Sequence, residues 1–131
     1  MDDDVYTYVD RFNSNFTHYD ISLLVHKVFK NNYRYMGGKR WEFLDLSDQT
    51  WKHDVKSKKL STDIKVIISD LFVQRALYWY DKSQEITNID SEIHSKIMSE
   101  KMLKASVKLK NQTFISTVIK EARSFFDFNN D

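Results

Sequence analysis

The chain has 131 residues, 41% hydrophobic and 15% aromatic, which is one domain's worth of material for a core. It contains no cysteine, which excludes disulfides and thiolate chemistry, and no proline and two glycines, which leaves few points where a helix must break. A net charge of +1 hides a segregated pattern: residues 1–20 carry −4, 21–65 carry +5, 66–100 carry −3 and 101–131 carry +3.

The N-terminus opens on Asp2-Asp3-Asp4 rather than a basic and then apolar stretch, so a secretory leader is not expected. No apolar run approaches the roughly 20 residues that span a bilayer, so no membrane partner is expected either. Residues 1–16 contain Tyr6, Tyr8, Val9 and Phe12 without a firm period and read as a tail that packs or forms a short helix. The domain is expected over residues 17–128. Thr17 with Asp20 three residues on has the form of a capping box, and Ile21, Leu24, Val25, Val28 and Phe29 follow at helical spacing. That helix should end near Asn31-Asn32.

Next comes YRYMGGKRWEFLDLSDQTW, Tyr33 to Trp51, with the chain's two glycines at its centre. A Gly-Gly pair between β-prone runs predicts a two-residue hairpin turn, because both residues tolerate positive φ. That turn sets Arg34 opposite Trp41, Tyr35 opposite Arg40 and Tyr33 opposite Glu42. After the polar loop Asp45-Leu46-Ser47-Asp48, Thr50 to His53 predicts a third strand that brings Trp51 alongside. Trp41, Phe43 and Trp51 are expected to cap the sheet against a helix.

Ser61 is the expected cap of a longer helix with one stripe of Ile64, Ile67, Ile68, Leu71 and Phe72. Val66, Val73, Leu77 and Tyr80 give it a second apolar face, which predicts the central, most buried helix. Asp90 is the expected cap of a third helix carrying Ile93, Ile97, Met98, Met102, Ala105 and Leu109. Asn111 or Thr113 starts a fourth, with Phe114, Ile115, Val118, Ile119, Ala122, Phe125 and Phe126. Phe128 and the following Asn-Asn-Asp read as a frayed end. The predicted fold class is α+β, mainly α: a four-helix domain with a small three-stranded antiparallel sheet inserted after the first helix.

The chain has no GxxxxGK[ST] phosphate loop, and its single Gly-Gly is explained by a hairpin. His18, His26, His53 and His94 are dispersed, with no HxxxH pair. Asp45-Leu46-Ser47-Asp48 has oxygen ligands for a divalent cation, but Asp and Ser bonding their own backbone in a turn accounts for the same residues. No Ser or Thr has His and acid partners at motif spacing. Neither catalysis nor a cofactor is expected within this chain.

The charge pattern makes nucleic acid a candidate partner class. Lys39 and Arg40 at the hairpin tip, with Arg34, Lys52, Lys56, Lys58 and Lys59, make a candidate phosphate-binding patch, and Tyr33 and Tyr35 are candidate base-stacking residues. The competing expectation is a solvated lysine face over aromatics that pack inward. A second candidate surface, for a protein partner or self-association, is the stripe of Met98, Met102, Phe125 and Phe126; the alternative is that these four close the domain's own core.

The order of features resembles the D5-type N-terminal helicase-associated region of helicase–primases from nucleocytoplasmic large DNA viruses. The matching residues are Tyr19-Asp20-Ile21 opening the helix, Trp41-Glu42-Phe43 in the second strand, Trp51 in the third, and Leu60 with Ile64 entering the long helix. Leu109-Lys110-Asn111-Gln112-Thr113-Phe114, then Val118, Ile119, Glu121, Ala122 and Phe126, are similar to that family's last helical block. The likeness covers about residues 17–128. It implies a DNA-replication accessory domain, lying between primase and hexameric superfamily 3 helicase modules and contacting DNA or aiding helicase assembly. It carries over no catalytic residues. The expected setting is host cytoplasm, a viral replication site or the virion, with helicase or primase modules or further copies as partners. The competing function is a viral protein-interaction or virion structural module that does not bind DNA.

Overall fold

The structure is a computed structural model that describes residues 3–11, 16–85 and 88–128. Phe12 and the Asn129-Asn130-Asp131 end lie outside the described residues.

The N-terminal segment belongs to the domain. Helix α1 (Asp3–Asp10) buries Val5 and Val9 one turn apart, and Phe16 joins them in the core. At its end Asp10 accepts hydrogen bonds from Arg75 Nε and Trp79 Nε1, both at 3.0 Å, which fastens α1 to the long helix. Helix α2 (His18–Phe29) starts at the expected capping box: Asp20 N–H donates to Thr17 Oγ1 at 3.1 Å, and Thr17 N–H donates back to Asp20 Oδ2 at 3.0 Å. Its Ile21, Leu24, Val25 and Phe29 are buried.

Strands β1 (Tyr33–Tyr35), β2 (Trp41–Asp45) and β3 (Thr50–Asp54) form an antiparallel sheet in the order β1-β2-β3. The register differs by one residue from the expected one: Tyr33 faces Phe43, Arg34 faces Glu42 and Tyr35 faces Trp41. The cause is the turn, which is one residue longer. Gly37, Gly38 and Lys39 all have positive φ, at 86°, 56° and 64°, and Met36 N–H closes the turn on Arg40 O at 2.9 Å. A shift of one residue reassigns every side chain to a different set of neighbours. Tyr33, Tyr35, Trp41 and Phe43 now share the core face. Arg34, Glu42, Leu44, Trp51 and His53 share the outer one, so half-buried Trp51 does not cap the sheet against a helix.

The chain from Val55 to Glu85 is one helical run: a 3₁₀ turn (Val55–Ser57), α3 (Lys58–Asp63), a π-helical turn (Ile64–Ile68) and α4 (Ser69–Glu85). Asp54, not Ser61, caps it. Its carboxylate accepts from Lys59 N–H at 2.8 Å and Leu60 N–H at 2.9 Å, while Ser61 pairs with Gln112. Lys56 and Ser57, both at φ 56°, fold the backbone back far enough for Asp54 to reach. Leu60, Ile64, Ile68, Leu71 and Phe72 are buried, but Ile67, Val66, Leu77 and Tyr80 are exposed. The run is therefore buried on one face rather than all round.

Helix α5 (Ile89–Lys108) is capped by Asn88, whose Oδ1 accepts from Asp90 N–H at 2.9 Å, so Asp90 lies in the first turn instead of at the cap. Its seam with α4 is lined by small residues: Ser69, Ala76 and Ser83 on α4, Ser95, Ser99 and Ser106 on α5, all buried. Ser99 Oγ donates to Ala76 O at 2.9 Å and Ser69 Oγ to Ser106 O at 3.4 Å, which satisfies hydroxyls that burial would otherwise penalise. Met98, Met102, Ala105 and Leu109 enter the core, whereas Ile93 and Ile97 face outward. The stripe considered for a partner is thus interior: Met98, Met102 and Phe126 are buried and Phe125 packs against the core.

Helix α6 (Gln112–Ala122) starts at Asn111, whose Oδ1 accepts from Phe114 N–H at 3.0 Å, and buries Ile115, Val118, Ile119 and Ala122. The chain then runs parallel to β1, with Tyr35 N–H donating to Phe126 O and Phe128 N–H to Tyr35 O, each at 2.9 Å. Phe128 is therefore paired, not frayed. The architecture is mainly α with a small antiparallel sheet, as expected; with the run from Val55 to Glu85 counted once, α1 makes five helices among the described residues in place of four, and places the sheet after the second.

Candidate nucleic-acid interface

Four of the seven candidate cations are engaged within the domain. Arg34 on β1 meets Glu42 on β2 at 2.8 Å, and its guanidinium lies between the rings of Trp51 and Phe128, 4.3 and 4.6 Å from their centroids. Arg40 takes the second oxygen of Glu42 at 3.2 Å. Burial pushes the Glu42 carboxyl up, but the two guanidiniums outweigh it and hold it below the usual range. Lys52 pairs with Asp45 and, at 3.1 Å, with Asp48.

Those two aspartates also make the turn. Ser47 N–H donates to Asp45 Oδ1 at 3.0 Å and Thr50 N–H to Asp48 Oδ1 at 3.1 Å, the backbone bonding expected of this loop. Lys52 and these donors depress both carboxyls, and the carboxylates raise Lys52 in turn. Lys59 reaches Asp63 at 3.2 Å and lies over the rings of Tyr33 and Phe43. Tyr33 donates its hydroxyl to the same Asp63, and burial first, then that hydrogen bond, pushes its phenol well above the ordinary value.

The remaining three behave differently. Lys39, Lys56 and Lys58 are exposed and form no salt bridge among the described residues. Register brings them together: Trp41 beside the hairpin tip opposes Asp54 at the end of β3, so Val55 to Lys58 begins at the same end of the sheet as Lys39 and Arg40. Lys39 and Lys56 both hold left-handed backbone, at φ 64° and 56°, a conformation that costs a non-glycine residue about 1 kcal/mol or more. Tyr35 Oη accepts from Lys39 N–H at 2.9 Å and fixes the tip on β1.

Tyr33 and Tyr35, the candidate stacking residues, lie on the core face, Tyr33 fully buried and Tyr35 against Trp41 at 5.3 Å between centroids. The aromatics beside solvent are instead Trp51 and Phe128. With His26, Lys30, Arg34 and Phe125 they wall a cleft of about 440 Å³. Sequence reasoning missed Phe128; its two-residue spacing from Phe126 is a strand signal, but one pair at a chain end is too short to register as a period. A larger cleft of about 600 Å³ lies between α2 and the β2–β3 loop, lined by Phe29, Phe43, Leu46, Lys59 and Asp63 among others.

Among the described residues, no group of three or more His, Asp or Glu side chains is placed to hold a metal ion. No helix there is long and apolar enough to cross a membrane. Comparison with protein-family models and with curated protein sequences finds no match to this chain.

Proposed function

We propose that this domain is a non-catalytic DNA-replication accessory module that contacts DNA through the hairpin-tip end of its sheet. One observation carries the reading. Every acid of the +5 segment is consumed inside the domain: Glu42 by two arginines, Asp45 and Asp48 by Lys52, Asp54 by two backbone amides, Asp63 by Lys59 and Tyr33. Six of the segment's ten cations then remain without a salt bridge among the described residues, and three of them, Lys39, Lys56 and Lys58, gather at the hairpin-tip end. Exposed lysines with no carboxylate neighbour are the groups that replace phosphate counterions. The resemblance to the D5-type region supports a replication setting in which helicase and primase modules supply the chemistry.

The test is fluorescence anisotropy with single-stranded and duplex DNA across a salt series. Affinity should fall steeply with salt, with a log–log slope of roughly −2 to −3 if about three phosphates are contacted. Lys39→Glu/Lys56→Glu/Lys58→Glu should abolish binding, whereas Lys52→Gln/Lys59→Gln should retain most of it. No binding at low salt, or a triple variant that binds normally, removes the reading.

A further inference from the structure

The face of α5 that points away from the core carries a pattern of its own. Ile93, Ile97, Glu100, Lys104 and Val107 recur at spacings of four and three, one stripe along a helix. All are exposed, Ile97 at 57% and Val107 at 64%. Neither Glu100 nor Lys104 forms a salt bridge among the described residues, although the same helix pairs Lys96 with Glu92 at 3.0 Å. Read from either end the core of the stripe is apolar, charged, charged, apolar, with the two charges opposite in sign.

Such a stripe is complementary to itself when reversed. We propose that this face is the two-fold interface of a homodimer in which α5 packs antiparallel against α5 of a second copy. With the axis midway between Glu100 and Lys104, each Glu100 lies opposite Lys104 of the second copy, and each Ile97 opposite Val107. A two-fold contact requires this kind of self-complementary patch, in which residue i meets j and j meets i. A shallow groove of about 450 Å³ bounded by Leu103, Lys104, Val107 and Lys108 lies where Ile97 of the second copy would enter.

The size of the contact sets its strength. A helix of 20 residues is about 30 Å long. One helix pair buries less than the roughly 800 Å² per partner of a stable complex, so the dimer dissociates on dilution through the micromolar range. The surface is distinct from the lysine cluster on the sheet, and the proposal stands independently of DNA binding.

Sedimentation velocity over about three decades of concentration around that range tests it, with circular dichroism confirming that each variant is folded. The weight-average mass should rise from one chain to two. Ile97→Glu should hold the protein monomeric. Glu100→Lys and Lys104→Glu should each weaken association about tenfold or more by placing like charges together, and Glu100→Lys/Lys104→Glu should restore it. A monomer at every concentration overturns the proposal, as does a dimer indifferent to Ile97→Glu or a double exchange that fails to restore what the single ones lose.

Discussion

The sheet and the α4–α5 hairpin are built on opposite plans. The sheet turns Tyr33, Tyr35, Trp41 and Phe43 to the core and leaves Trp51 on the outer face, with each of its acids tied to a specific donor. The helical hairpin does the reverse at its seam: serines and an alanine are buried, while Ile93, Ile97, Leu77, Leu103 and Val107 meet solvent. Small seam residues let two helices approach closely and allow a hydroxyl to bond across to a carbonyl, as Ser99 does to Ala76. The larger side chains of both helices are then left to face either the core or the outside. The lesson is that polarity alone does not say which way a helix faces; side-chain volume at the contact decides it.

The largest expected effect is on the sheet side. Trp41 is fully buried, stacks edge-on against Phe126 at 5.2 Å, and has an indole N–H with no hydrogen-bond partner among the described residues. Trp41→Ala should cost about 3–5 kcal/mol in urea unfolding, from lost transfer energy and the cavity left behind. Trp41→Phe keeps most of the ring and removes an unsatisfied donor whose burial is itself unfavourable, so it should cost less than about 1.5 kcal/mol. Equal losses for the two variants would mean that the full volume of the indole, rather than an aromatic ring as such, anchors the sheet.

A smaller effect is expected at the seam. Ala76→Leu pushes α4 from α5 and displaces the carbonyl that receives Ser99, and should cost about 1–3 kcal/mol as overpacking. Ser99→Ala removes one buried hydrogen bond whose acceptor also serves its own helix, and should cost about 1 kcal/mol. If Ala76→Leu were neutral, the helices would not be held by close approach, and the contrast with the sheet would lose its physical basis.

The elements themselves were legible in the sequence wherever the signal was local. The Thr17–Asp20 box, the Asp45–Asp48 turn and the cap of the last helix depend on residues two or three apart, and each forms, with Asn111 rather than Thr113 as that cap. What was not legible depended on one backbone torsion or on a distant neighbour. Lys39 at φ 64° lengthens the turn by a residue and changes every cross-strand pair, yet a lysine gives no sign of a left-handed conformation. Asp54 displaces Ser61 as the cap because two more left-handed residues bring it back over the helix end. Of the candidate site, composition gave the cations but not their partners. Arg34 and Lys39 are alike in sequence terms, and Glu42 separates them.

Acid titration separates the two regions by the smallest effect. Glu42 in the folded domain holds its proton less tightly than in the unfolded chain, because Arg34 and Arg40 overcome the cost of its burial. Its contribution is therefore fully present above the ordinary value of 4.5 and is lost as pH falls through the depressed one. His26, beside Phe125 and Phe126, has the same sign: burial and the neighbouring Lys30 and Lys27 keep it neutral, so stability declines as pH falls below 6.5. The α4–α5 seam is lined by hydroxyls and methyl groups that do not titrate. Unfolding free energy measured from pH 7.5 to 3.5 should thus fall in two steps, each at most about 1 kcal/mol after solvent screening. Glu42→Gln should shrink the lower step, leaving the part that comes from the depressed carboxyls of Asp45 and Asp48, and His26→Phe should flatten the upper. A seam variant such as Ser99→Ala should shift the whole curve without changing its shape, and a change of shape there would place a titrating group in the helical hairpin.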